Sequence, residues 1–283
     1  MRVLLIRHGQ SEGNVDYKKY IEKGDQTIGL TDIGWRQAIA AGEHLDSYYQ
    51  DTQTAQWPYI FLSAYQRTHE TLSGVLHGLG NARFPDTPII HHDPRLIEQS
   101  YGAVPHLNKP DGILDWQTAA QFNRLSLAIR DKDPFTARPL MGESRKDAFL
   151  AVQSFMEGAM HRADLAGHDD MVIVAHGHVI QEFLRAMHAL PMTADILKPG
   201  NCDIFESRGN LGHWTTRRIF DGEAMQPIHQ PLFTGNHKFS VTNLPPVPER
   251  ILNPPPPAAI EVTDQAAAAA EPPPLPAPSS EPQ

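Results

Sequence analysis

A single α/β domain, built as a three-layer α/β/α sandwich with a largely parallel central sheet, is the fold this chain predicts, and three observations predict it. Val3-Leu4-Leu5-Ile6, Tyr59-Ile60-Phe61-Leu62 and Met171-Val172-Ile173-Val174-Ala175 are short continuous apolar runs, as expected of strands covered on both faces. Apolar stripes at helical spacing fall between and after them, as at Ala38, Ile39, Gly42 and Leu45. Two of the runs end in the same way, at Arg7-His8-Gly9 and at His176-Gly177. Ligands in such sheets bind beyond the carboxyl ends of the strands, so two strands delivering two histidines suggest one shared site. Either histidine alone is equally an ordinary polar residue closing a strand; the pair, with Arg7 attached, is not.

The elements follow in order. After the first strand, Thr31 precedes the stripe from Trp35 to Leu45 and reads as an N-cap. Tyr59 to Ala64 forms the second strand and leads into a helix opening Tyr65-Gln66-Arg67-Thr68, which sets Arg67 at a helix N-terminus. Unpaired N–H groups attract anions there, and a guanidinium matches phosphate oxygens two at a time. Pro88-Ile89-Ile90-His91-His92 forms another strand, and Glu98 follows it at the same end of the sheet. Glu143 and Ser144 begin a helix carrying Ala148, Val152, Phe155, Met156 and Ala159. After the strand ending at Ala175, Val179, Ile180, Phe183, Leu184 and Met187 form a further core stripe.

Taken together, these residues resemble the histidine phosphatase superfamily in its phosphoglycerate mutase-like branch. The resemblance rests on Arg7-His8-Gly9 with Asn14, Leu30-Thr31-Asp32-Ile33-Gly34, Ser63 to Thr68, Leu96-Ile97-Glu98 through Gly102, Gly142-Glu143-Ser144 and Ala175-His176-Gly177. It covers about residues 1–220 and implies a phosphoglycerate mutase-like fold. It also implies roles. His8 would be the nucleophile that becomes a phosphohistidine. Arg7, Arg67, His176 and Asn14 would hold the phosphoryl oxygens. Glu98 would be the general acid and base. To attack, His8 must be neutral, which neighbouring arginines favour. To donate, Glu98 must start protonated; burial favours that and adjacent cations oppose it.

Glu98-Gln99-Ser100-Tyr101-Gly102-Ala103 through Leu107-Asn108-Lys109 also follows a phosphoglycerate mutase segment whose Tyr and Lys help hold the substrate carboxylate. The implied substrate contacts are therefore Asn14, Gly177, Tyr101 and Lys109, with Arg124, Arg130 and Arg138 as further candidates that read equally as solvated surface charges. Residues 103–141 resemble the lid-like insertion of the family. The adjacent Arg-Arg pair of those mutases is missing, since Asp115 to Ile129 offers only Arg124. Without that clamp a phosphoenzyme loses its intermediate to water, so a phosphomonoester hydrolase is favoured over mutase-type phosphoryl transfer. A catalytically silent relative that binds a phosphorylated ligand or a protein is the alternative from another class.

Composition bounds the rest. The domain is placed at residues 1–243, and residues 244–283 hold 13 of the 25 prolines and a run of five alanines. Such a Pro/Ala-rich tail buries no core and is expected to be disordered, either merely solvated or docked to a protein partner. It carries −4 of the net charge of −9. The mildly acidic remainder has no broad basic face for nucleic acid. One cysteine, Cys202, excludes an internal disulfide and fits a reducing compartment. The apolar start stops at Arg7, too short for a leader or a span. The expectations are a cytoplasmic protein, no membrane contact, a small phosphorylated substrate, and neither metal nor cofactor, because the fifteen histidines show no His-Glu-x-x-His spacing.

Overall fold

In the computed structural model, residues 1–80, 84, 86–102, 116–165, 167–210 and 213–234 are described. Seven strands form one sheet: β1 Arg2–Arg7, β2 Tyr59–Leu62, β3 Ile90–His92, β4 Asp170–Ala175, β5 Ile204–Asn210, β6 His213–Asp221 and β7 Gln226–Thr234. Their spatial order is β3-β2-β4-β1-β5-β6-β7. The first four are mutually parallel, while β5, β6 and β7 add on antiparallel beside β1. The parallel half is the part expected from the apolar runs. The antiparallel half has no such run, because its strands carry ion-paired side chains such as Glu206 with Arg208 and Arg217.

Helices cover both faces, and β1 shows how. Val3 and Leu5 point into one apolar layer and Leu4 and Ile6 into the other, as the two-residue period of a strand requires. The first layer packs against α6 (Arg145–Phe155) through Val152 and Phe155, and against α8 (Gly177–Met187) through Ile180 and Phe183. The second packs against α3 (Asp32–Asp51) through Ala41 and Leu45, and against α4 (Gln66–Leu79) through Leu72 and Val75. Short helices α1 (Glu12–Val15) and α2 (Lys18–Lys23) follow β1, α5 (Trp116–Lys132) precedes α6, and α7 (His161–Leu165) precedes β4. Both expected N-caps are present: Thr31 Oγ1 accepts from Gly34 N, and Ser144 Oγ accepts from Asp147 N. None of these helices is long and apolar enough to cross a membrane.

Register sets the site. Arg7 pairs with Ala175 across β1 and β4, and Leu62 pairs with Val174 across β2 and β4. His8 and His176 therefore leave the sheet side by side, and Ser63, the residue after β2, stands one residue lower, level with Arg7 and Ala175. The turn after β1 is fixed from two sides: Gly9 N donates to Thr71 Oγ1 of α4 at 3.0 Å, and Gln10 N donates to Gln37 Oε1 of α3 at 2.8 Å. Gly9 and Gly34 permit this fit, since a Cβ on Gly9 would lie 2.6 Å from Gly34 O. The chain divides after Ser240. The expectations for residues 244–283, and for residues 103–115 including Lys109, lie outside the described residues.

Candidate active site

His8 is buried, and its Nδ1 lies 2.8 Å from Gly9 O. A carbonyl can only accept, so Nδ1 carries the hydrogen and Nε2 keeps its lone pair. Burial, followed by Arg67 and Arg7, holds the imidazole well below its ordinary pKa of 6.5. The ring is thus neutral at neutral pH, with the Nε2 lone pair free.

His176 stands edge-on to it, ring centroids 5.2 Å apart. Burial and then Arg67 keep this ring neutral as well. Its Nε2 lies 2.8 Å from Ser63 Oγ. With Ser63 donating there, Nδ1 becomes the N–H of the ring.

The two arginines are anchored at one end. Arg7 Nη1 donates to Pro199 O at 2.7 Å. Arg67 Nη1 donates to Asp25 O at 2.6 Å and lies 2.8 Å from Asp25 Oδ1. Among the described residues, Arg7 Nε, Arg67 Nε and His176 Nδ1 are buried without a hydrogen-bond partner. Orphaned buried N–H groups are costly and rare. Three of them beside a neutral imidazole form a cradle for an oxyanion.

Glu98 closes the same cleft from the segment after β3. Its Oε1 accepts from Gln99 N at 3.0 Å, and its Oε2 lies 3.5 Å from His178 N in the first turn of α8. Burial pushes the carboxyl up, but His178, the Gln99 N–H and Arg67 outweigh it and hold the group below its ordinary value. The balance left open by the sequence therefore falls toward the carboxylate in the free protein. A phosphate dianion beside Glu98 would oppose that balance, because a like charge favours the protonated acid.

The cleft measures about 900 Å³ and is lined by Arg7, His8, Asn14, Arg67, Glu98, Tyr101 and Gly177, among others. Eight of the nine site residues expected from the sequence thus converge, with His176 packed against His8; the ninth, Lys109, is outside the described residues. Asn14 also has a local role: its Oδ1 accepts from Ser11 N at 3.0 Å and from Asn201 Nδ2 at 3.0 Å, so its amide NH2 is what it offers a ligand. Gly177 begins α8 beside Arg7, whose Nε would lie 3.5 Å from an added Cβ. Burial and Glu98 push the Tyr101 hydroxyl up to about 12. Arg130 and Arg138 do not line the cleft but a neighbouring cavity of about 130 Å³, where Arg145, Tyr101 and His178 join them. Arg138 is paired there with Asp147 at 2.5 Å, and Arg124 lies exposed on α5.

Three contributors carry no clear mark in the sequence. His178 follows the His176-Gly177 pair directly, and its place on the first turn of α8 was the available signal. Asp25 and the segment Asp195 to Lys198 reach the cleft from loops, and only the fold brings them there. Among the described residues, no three His, Cys, Asp or Glu side chains converge to hold a metal ion.

Comparison with known proteins bears on this geometry. A curated relative, phosphoglycerate mutase-like protein AT74 of Arabidopsis thaliana, is 29% identical over 215 residues, covering 72% of this chain and 63% of that protein. A 2,3-bisphosphoglycerate-dependent phosphoglycerate mutase of Bartonella quintana is 29% identical over 189 residues, covering 66% of this chain and 82% of that protein. The chain thus spans less than two thirds of the first relative and about four fifths of the second. Among solved structures, a mycobacterial glucosyl-3-phosphoglycerate phosphatase in complex with VO3 superposes with a TM-score of 0.52 and 25% identity over 77% of this chain and 97% of that one. The alpha-ribazole phosphatase of Shigella flexneri gives 0.57 and 21% over 77% and 95%. The family model of the histidine phosphatase superfamily, branch 1, matches residues 3–222, a span that holds both strand-end histidines and Glu98, and this chain belongs to that superfamily.

Proposed function

We propose that the protein is a phosphomonoester hydrolase working through a phosphohistidine on His8. The observation that carries this reading is a buried, neutral imidazole with its Nδ1 hydrogen committed to Gly9 O, beside partnerless N–H donors on Arg7, Arg67 and His176. His8 Nε2 attacks phosphorus in line with the leaving oxygen. The arginines and His176 stabilise the charge spread over the other phosphoryl oxygens, which is the main catalytic demand of phosphoryl transfer. Glu98 protonates the departing alkoxide and then takes a proton from the water that opens the phosphohistidine. Asn14, Gly177 and Tyr101, and Lys109 beyond the described residues, are assigned to substrate binding.

Hydrolysis is favoured over transfer because the sequence of α5 lacks two adjacent arginines to retain a product. The names of the relatives include both phosphatases and mutases, so the test must separate them. Phosphate release from a panel of phosphomonoesters including 3-phosphoglycerate is measured for the wild type and His8→Ala, with isomer formation followed in parallel. The expected result is release that falls at least about a thousandfold in the variant, as loss of a nucleophile does elsewhere. Isomerisation without release makes the protein a mutase, and neither activity across the panel makes it a binding relative.

A further inference from the structure

The reading of Glu98 as acid and base leaves one question of proton supply. The carboxyl is held in its ionised form in the free protein, yet its first task is to give a proton away. The answer lies in the next ring along. His178 Nδ1 is 3.6 Å from Glu98 Oε1, and His178 Nε2 is 3.5 Å from Tyr101 Oη. Both distances exceed those of well-formed hydrogen bonds, and the ring faces the two groups from opposite edges, Nδ1 toward Glu98 and Nε2 toward Tyr101. The two side chains differ in access: His178 is 32% exposed and Glu98 15%. The ring also lines both the catalytic cleft and the Arg-lined cavity beside it. It is therefore the more solvent-accessible member of the pair.

We propose that His178 stores the proton of the acid–base step and acts through Glu98, as a positioning residue rather than one that touches substrate. This rests on the phosphatase reading above. One proton is shared by the pair and rests on His178 while Glu98 is a carboxylate. When the P–O bond breaks and His8 Nε2 takes the phosphoryl group, the alkoxide receives a proton from Glu98, which receives the one on His178. The pair is then proton-free. In the second half, water loses a proton to Glu98 as its oxygen bonds phosphorus and the N–P bond breaks. Phosphate leaves as the monohydrogen dianion, His8 returns neutral, and the proton passes back to His178. The charged groups facing the ring are Glu98 on one side and Arg145 and Arg130 across the side cavity, with Arg7 and Arg67 in the cleft beyond Glu98; Tyr101 stays neutral.

The test compares an alkyl phosphomonoester, whose leaving group needs a proton, with p-nitrophenyl phosphate, whose leaving group does not. In His178→Asn, and in His178→Gln as a second variant, the ratio of alkyl to aryl turnover is expected to fall at least about tenfold, a part of the roughly 10²–10⁴ that a general acid contributes. The acid limb of the alkyl profile is expected to move as well. Glu98→Gln serves as the reference and is expected to lower the ratio further. An equal fall on both substrates, or no fall, in the His178 variants while Glu98→Gln changes the ratio overturns the proposal alone. An unchanged ratio in Glu98→Gln overturns the assignment of the acid, and absence of hydrolysis by the wild type overturns the phosphatase reading, each taking this proposal with it.

Discussion

Arg67 already holds an anion in the free protein, since the Asp25 carboxylate lies 2.8 Å from its Nη1. Burial raises the Asp25 pKa and Arg67 only partly offsets this. A phosphate dianion drawn to Arg67 meets that charge at close range, a repulsion of about 1 kcal/mol or more. Asp25→Asn is therefore expected to lower the inhibition constant of inorganic phosphate about fivefold, the gain shrinking toward acid pH as Asp25 in the wild type protonates; an unchanged or higher constant rejects the idea. His8 and His176 make a second prediction. Both have folded pKa values depressed below 6.5 by burial and by Arg67, so the unfolded chain binds more protons between the two values. Stability is then full above about pH 6.5 and is lost as pH falls, by about 1 kcal/mol per pH unit for each ring. Urea unfolding at several pH values measures this, and His8→Asn is expected to reduce the slope by the share of one ring, about 1 kcal/mol per pH unit; an unchanged slope refutes it. These residues also show what a sequence reveals at this scale. His8 and His176 were legible because each ends an apolar run. Asp25 was not, because its meaning depends on a loop returning to an arginine 42 positions away.

Elements were legible in proportion to how apolar and regular they are. α8 was readable from Val179, Ile180, Phe183, Leu184 and Met187, all of them buried. β5 and β6 were not, because Glu206 is buried at the meeting point of Tyr48, Arg208 and Arg217, and a paired carboxylate on a strand gives no apolar signal. β7 hides for another reason, since Pro227 and Pro231 break the expected strand pattern. The crossing of α3 and α4 was legible only in part. Gly42 reads as a small residue on a helical stripe, and the structure pairs it with Gly78 of α4. A Cβ on Gly42 would lie 2.1 Å from Val75 O, and one on Gly78 2.1 Å from Ile39 O. Backbone lies on backbone at both points, so relief requires the helices to part. That movement reaches the site, because α4 carries Arg67 and also Thr71, which holds Gly9. Gly42→Ala is expected to cost about 1–3 kcal/mol, as overpacking does, with a fall in phosphatase turnover beyond what the unfolded fraction explains. Urea unfolding and turnover measured together check it; an unchanged midpoint would show that the crossing has slack.

At the scale of the whole molecule, the two halves of the sheet divide the work. The parallel strands β2, β4 and β1 end within one residue of each other and present Ser63, His176 and His8 at the same edge of the sheet, while the antiparallel strands present none of the proposed catalytic residues and extend the core through Ile204, Phe205 and Phe220. The last strand also closes the sheet against further pairing. β7 lies at the edge, and its two prolines remove N–H donors that another strand would need. Everything assigned to catalysis lies between Arg7 and His178, and the family match ends at residue 222. The Pro/Ala-rich residues 244–283 carry a charge of −4, no aromatic residue and only seven Leu, Ile or Val scattered among prolines and alanines, so they have little with which to stabilise the sheet or to reach a buried imidazole. We therefore propose that removing residues 244–283 leaves both the thermal midpoint and kcat/KM on p-nitrophenyl phosphate unchanged. A lower midpoint in the shortened chain would mean that the segment packs on the domain. An unchanged midpoint with altered kcat/KM would mean instead that its carboxylates act on the approach of an anionic substrate, an effect that added salt must then abolish.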